Sequence, residues 1–167
     1  LIIFGHGVKL AGVTSEAMNL VESTNIPFVV SWGAFDICGT DHDLRIGSHG
    51  VYGDRCANYA VQNADLLIII GSRLDSRQTG GNGSLFSKHS KKVMVDVDLN
   101  EIEKLPERNI HIDHSICTNL KEFFINLQNS SIQTQFTDWK DILNGWKTIY
   151  GEELTRKGDS AVYDYLN

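Results

Sequence analysis

Short apolar runs punctuate the chain at Leu1 to Phe4, Phe28 to Ser31, Leu66 to Ile70 and Val93 to Val97. Each is too short for a helix, and none alternates with polar residues as a half-exposed strand would, so the pattern predicts strands buried on both faces. Helical spacing appears between or after them. Ser15 to Ser23 places Met18 and Val21 on one face, Asp54 to Asn63 opens on an aspartate positioned to cap it, and Asn119 to Leu127 closes the series. Ile110 to Ile112 is read as a short fifth strand. Strands that alternate with helices need crossover connections, so the expected fold is α/β: a doubly wound, mainly parallel, Rossmann-like sheet with helices on both faces. Ligands of such sheets lie beyond the carboxyl ends of the strands. The loops after Phe4, Ser31, Ile70 and Val95 are therefore the places to search for function.

From Gln128 to Gln135 the chain turns polar, and a linker is placed there. Residues 1–128 are thus expected to form one domain and 129–167 an appendage. Within the appendage, Trp139, Ile142, Leu143 and Trp146 mark one face of a helix, and Asp159 to Leu166 reads as the start of a second. The segment from Gln128 onward has too little apolar surface to stand alone and is expected to be less protected than the core, its partners lying in neighbouring domains.

Composition narrows the function classes. With 167 residues, 41% hydrophobic, the chain can bury one sizeable core. A formal net charge of -6 gives no electrostatic support to a nucleic-acid partner. Cys38, Cys56 and Cys117 are odd in number and lack paired spacing, which argues against a disulfide framework or a zinc knuckle and for a reducing cytoplasm. No apolar stretch approaches the ~20 residues of a membrane span. The opening Leu-Ile-Ile-Phe has neither an initiator Met nor the features of a signal peptide, so the chain is expected to be a piece of something longer.

Gly5-His6-Gly7 follows the first strand directly, where a backbone can approach a phosphate or a ribose. A plain tight turn explains it equally well, since Leu10 replaces the third glycine of a dinucleotide fingerprint and Val13 the lysine of a phosphate loop. The richest stretch is Gly71-Ser72-Arg73-Leu74-Asp75-Ser76-Arg77-Gln78-Thr79-Gly80-Gly81. Its two guanidinium groups can fork around a diphosphate, or Arg73 and Asp75 can simply pair at the surface. Asp96 closes a strand where a carboxylate can accept ribose hydroxyls; alternatively it caps the next helix, a task Asp98 could take over. Asp41, His42, Asp43 and His49, or His111, Asp113 and His114, lack the second pair of a zinc site, and neither Cys56 nor Cys117 has an identifiable base. No catalytic or metal-binding residue is assigned.

These motifs, in this order, resemble the central domain of thiamine-diphosphate-dependent enzymes of the acetolactate synthase type. The resemblance covers residues 1 to about 128 and rests on Gly5-His6-Gly7, Ala57-Asn58, the Gly71 to Gly80 loop, and Asp96-Val97-Asp98 followed by Glu101-Ile102. It implies FAD, held in an extended pose, or an ADP-like cofactor, with contacts from Gly5, His6, Gly7, Gly71, Ser72, Arg73, Asp75, Arg77, Asp96 and Val97. Three departures stand out: His6 interrupts the family's glycine triplet, Val51-Tyr52-Gly53 replaces its Met-His-Gly, and its late Gly-Asp corresponds to His114-Ser115.

The resemblance also implies a parent enzyme, a transferase or lyase that makes or breaks carbon-carbon bonds at 2-keto acids with thiamine diphosphate and magnesium. Its pyrimidine- and diphosphate-binding domains would be further parts of the same chain, and it would act as a homo-oligomer. Trp139 to Tyr150 is similar to the helix that follows the central domain, and Asp159 to Leu166 to the start of the diphosphate-binding domain. Gly53-Asp54 and Asn82 only loosely mimic the thiamine diphosphate motif, because Arg55 and Gly83 break it. Neither thiamine half-site is encoded, so no turnover is expected from these residues alone. The competing expectations are a free-standing nucleotide-binding module related to flavin- or NAD-binding domains, and a scaffold with a degenerate site.

Overall fold

The computed structural model describes residues 1–128 and 137–158. One parallel sheet organises it, built from β1 (Ile2–Phe4), β2 (Phe28–Val30), β3 (Arg45–Ser48), β4 (Leu66–Ile70), β5 (Lys91–Asp96) and β6 (His114–Cys117). Their spatial order is β3-β2-β1-β4-β5-β6, the doubly wound arrangement. Between them run α1 (Gly7–Leu10), α2 (Thr14–Thr24), α3 (Arg55–Asn63), α4 (Ser76–Thr79) and α5 (Leu99–Glu103), followed by α6 (Leu120–Gln128) and α7 (Thr137–Gly158).

Alternation along the strands explains the unbroken apolar runs. Ile3, Val29, Leu67, Ile69 and Met94 point to one face, where they meet Ala57, Ala60 and Val61 of α3. Ile2, Phe4, Phe28, Val30, Ile70 and Val95 point to the other, against Ala17 and Val21 of α2 and Leu120 and Phe124 of α6. With a helix layer on each side, these strand positions are all apolar.

Two strands differ from the sequence reading. β3 carries no apolar run because Arg45 is itself buried: its guanidinium donates to the Cys38 carbonyl at 2.8 Å and lies 4.7 Å from the centroid of the Phe35 ring. Ile110 to Ile112 is not a strand. Ile110 is a buried plug in a turn closed by its own N–H on the Leu105 carbonyl, and the strand begins at His114. All four β6 side chains are exposed, which erases the periodicity that would have marked it. The residues that follow the last strand are thus Thr118 and Asn119, and His114-Ser115 lies within it.

Asp54 stands at the N-cap of α3, where its carbonyl accepts the Asn58 N–H, but its side chain does not cap the helix. Its carboxylate accepts the Ser48 N–H at 2.8 Å, tying β3 to the helix start. The linker around Gln135 and the segment from Asp159 to Leu166 lie outside the described residues. α7 corrects an expectation. Its apolar face finds its partner within the chain, where Leu143 is fully buried and Trp139, Trp146 and Tyr150 pack on the same cluster. Tyr59 of α3 meets Trp146 and Tyr150 at ring-centroid distances of 5.9 and 5.2 Å. Leu143→Ala is therefore expected to destabilise the fold by about 2 to 5 kcal/mol, read as a lower urea midpoint. A shift under ~0.5 kcal/mol would mean that α7 is not part of the cooperative unit.

Candidate nucleotide site at the sheet's switch point

From β1 the chain winds outward to β3, then returns to place β4 on the other side of β1. At this reversal of strand order a crevice opens at the carboxyl ends of the strands. It forms a cavity of about 650 Å³. His6, Gly7, Gly71, Ser72, Arg73, Asp75, Arg77, Asp96 and Val97 line it, so the structure gathers every residue singled out in the sequence except Gly5.

Gly5 works beneath the cavity. Its N–H donates to the Ile70 carbonyl, and the Gly7 N–H donates to that of Gly71, both at 2.9 Å. A β-carbon on Gly5 would lie 2.1 Å from the Gly71 oxygen. These groups join the two loops and are not available to a phosphate. Gly71 adopts a φ of +62°, and a β-carbon there would press 3.0 Å from the Gly7 α-carbon.

His6 rises from the same turn, with Nδ1 2.7 Å from the Gly33 carbonyl. A carbonyl only accepts, so Nδ1 must carry the proton, which leaves Nε2 as the remaining polar atom of a ring that lines the cavity. Across β4, Asp75 caps α4 by accepting the Arg77 N–H at 2.8 Å, and the Gln78 amide bridges Asp75 and the Ser72 hydroxyl. Burial alone would raise the Asp75 carboxyl. The Gln78 side chain, the backbone N–H groups of Arg77 and Gln78 and the charge of Arg73 outweigh it and hold the group below its ordinary value.

The guanidinium groups of this loop are not consumed by it. Arg73 approaches Glu101 at 3.8 Å, not Asp75, and its side chain is 66% exposed. Glu101 has the closer partner in Lys104, at 2.6 Å. Arg77 forms no ion pair among the described residues. Asp98 caps α5 by accepting the Asn100 N–H, and one Asp96 oxygen accepts the Asp98 N–H at 3.0 Å. The other oxygen of Asp96 has no hydrogen-bond partner among the described residues.

Among the lining residues that the sequence did not assign to the site are Trp32, His49 and Tyr52. Trp32 and Tyr52 stand at the ends of β2 and β3, and His49 lies buried between them in the chain. For Trp32 the available signal was an aromatic residue just beyond β2, whereas Tyr52 lies four residues beyond β3, a strand that was not recognised. Neither ring nitrogen of His49 has a hydrogen-bond partner among the described residues. Burial pushes its pKa down to about 4, while the charge of Asp75 and the amide of Gln78 pull the other way.

No group of three or more His, Cys, Asp or Glu that could hold a metal occurs among the described residues, and no helix there is long and apolar enough to cross a membrane.

Residues 1–127 match the family model described as "Thiamine pyrophosphate enzyme, central domain". The chain belongs to this family. Among curated proteins it is 35% identical to the "Probable acetolactate synthase large subunit" of Methanococcus aeolicus, over 72% of this chain and 19% of that protein. It is 32% identical to the protein of the same name from Methanocaldococcus jannaschii, over 83% of this chain and 22% of that one. With the "Acetolactate synthase large subunit" of Corynebacterium glutamicum it shares 32% identity over 90% of this chain and 24% of the relative. The chain therefore spans about a quarter or less of the length of these relatives. As a thiamine pyrophosphate enzyme central domain, it carries its cavity where the doubly wound sheet of the family reverses its strand order.

Proposed function

We propose that residues 1–128 are the nucleotide-binding central domain of an acetolactate synthase-like enzyme, and that 129–167 lead into its diphosphate-binding domain. The parent uses thiamine diphosphate and magnesium to make or break carbon-carbon bonds at 2-keto acids, as a cytoplasmic homo-oligomer. Both thiamine half-sites come from its other domains. This domain holds FAD or an ADP-like cofactor, and its own residues bind and orient without carrying out a chemical step.

The observation that carries the reading is the convergence of uncommitted polar groups on one cavity. Arg77 has no ion pair among the described residues, Arg73 is mostly exposed, and Asp96 keeps one oxygen open. The cavity reaches from the end of β3 to the end of β5, across four inter-strand gaps. At ~4.8 Å per gap this is about 19 Å, the reach of an extended dinucleotide. The donor set fits such a ligand: guanidinium groups for a diphosphate and a carboxylate for ribose hydroxyls.

Calorimetric titration of FAD and ADP into the wild type, Arg73→Ala and Arg77→Ala tests it. Loss of a charge-assisted contact to a diphosphate is expected to weaken binding by roughly 1.5 to 3 kcal/mol, about ten- to a hundredfold, in at least one variant. The melting curve should stay in place, because neither arginine supports the core. Binding that is unchanged in both variants removes the phosphate clamp, and a wild type that takes neither nucleotide removes the nucleotide role.

A further inference from the structure

The loop that carries Arg73 and Arg77 has little of its own to hold it. α4 is a single turn of four residues, and one turn costs more to form than its own hydrogen bonds return. Leu74, which leads into it, adopts a left-handed φ of +49°, a conformation that residues with a branched or bulky side chain rarely take. Support for this backbone must come from outside the loop.

Arg108 supplies it from far along the chain. Its Nη1 donates to the Leu74 carbonyl at 2.6 Å, and its Nη2 to the Thr79 hydroxyl at 2.8 Å. The two acceptors flank the turn. Leu74 precedes the Asp75 cap, and Thr79 is the last residue of α4, its hydroxyl donating in turn to the Asp75 carbonyl at 3.1 Å. Arg108 forms no ion pair among the described residues, so its charge is directed at these two neutral acceptors, and such bonds are stronger than those between neutral groups. The arginine is itself fixed. It closes the helical turn Pro106–Arg108 between the buried Leu105 and Ile110, and its N–H and that of Ile110 both bond to the Leu105 carbonyl. Gly83 packs on its backbone so closely that a β-carbon there would lie 2.1 Å from the Arg108 oxygen.

Arg108 is not one of the residues that line the cavity. We infer that it is a positioning residue for the ligand site, bracing both ends of α4 and so holding Arg77 and the Asp75 cap in the arrangement that faces the cavity before any ligand arrives. The inference rests on the nucleotide reading given above for the identity of the ligand. A lysine cannot replace the brace, because one ammonium on a flexible stem does not match two acceptors in a fixed fork.

Amide hydrogen exchange in the wild type and Arg108→Ala, without nucleotide, tests the brace. The N–H groups of Gln78, Thr79 and Gly80 close α4 on the Asp75 and Ser76 carbonyls. They are expected to exchange about ten- to a hundredfold faster in the variant, the range for a lost hydrogen bond to a charged group. The Gly71 N–H, bonded to the Val95 carbonyl, should stay within about twofold of wild type. Titration should then show ADP and FAD each bound about tenfold more weakly, since the order that Arg108 supplied must now be created on binding. Millimolar guanidinium, which fits the vacated place, should restore most of that affinity. Arg108→Lys keeps the charge and covers the case in which the alanine variant does not fold, and the same three amides should loosen in it while Gly71 does not. Unchanged exchange at α4, or an equal rise at Gly71, overturns the brace. So does a loosened α4 with wild-type affinity. A wild type that binds neither nucleotide removes the nucleotide reading instead, and exchange at α4 still decides whether Arg108 holds the loop.

Discussion

Gly5→Ala is expected to destabilise the protein by at least ~3 kcal/mol, although alanine is compatible with the backbone conformation there. The added β-carbon would lie 2.1 Å from the Gly71 carbonyl oxygen and 2.4 Å from the Ser72 α-carbon. Both obstacles are backbone, so no rotamer change relieves them. The seam that must open is the one in which Phe4 pairs with Ile70 and the Gly5 N–H bonds to the Ile70 carbonyl. That seam also forms the base of the cavity, so ligand binding should fall along with stability. Gly12→Ala is the control: Gly12 has a φ of +67° but nothing within 4 Å of an added β-carbon. Only the left-handed backbone penalty of about 1 to 2 kcal/mol applies. Urea unfolding of the two variants decides the matter, and a Gly5 variant no weaker than the Gly12 variant would show that the seam tolerates expansion.

The second large effect concerns acid. Burial holds the His49 imidazole neutral, with a folded-state pKa of about 4 against an unperturbed 6.5. The unfolded chain therefore binds a proton that the folded chain refuses between these values. Stability is fully present above pH 6.5 and declines as pH falls toward 4. At 1.36 kcal/mol per pKa unit, the whole window corresponds to about 3 kcal/mol, and the step from pH 7 to pH 5 to about 2. The carboxyl of Asp75, held below its ordinary value of 3.8, contributes stability that is lost only at lower pH. His49→Leu should therefore flatten the profile between pH 6.5 and 5. Parallel pH dependence of the unfolding free energy in wild type and variant would assign the acid sensitivity to another group.

How much of this was legible beforehand follows from which residues signal through neighbours in sequence and which through neighbours in space. β1, β2, β4 and β5 were legible because strands covered on both faces must be continuously apolar. The arginine loop was legible because glycines and paired charges directly after such a strand lie where doubly wound sheets bind ligands. β3 was hidden because its buried cation is satisfied by Cys38 and Phe35, residues outside the strand, so its composition reads as a loop. With β3 went Tyr52 and His49, whose positions make sense only as the end of a strand beside β2. Asp96 and Asp98 show the opposite case, since either could have capped α5 and the sequence left both choices open until Asp98 was seen to bond the Asn100 N–H.

The sequence by itself determined the fold class and the family and pointed to loops that line the cavity, since hydrophobic period and motif order are local properties written along the chain. Only the tertiary structure decided which groups remain free. It used the backbone of Gly5 and Gly7 to join two loops, Asp75 to cap α4 and Leu143 to anchor α7 on the core. It left Arg77, one oxygen of Asp96 and two aromatic rings facing a common cavity. A side chain's availability depends on partners brought to it by packing, often from residues far away in the chain, and no pattern of neighbours in sequence records that.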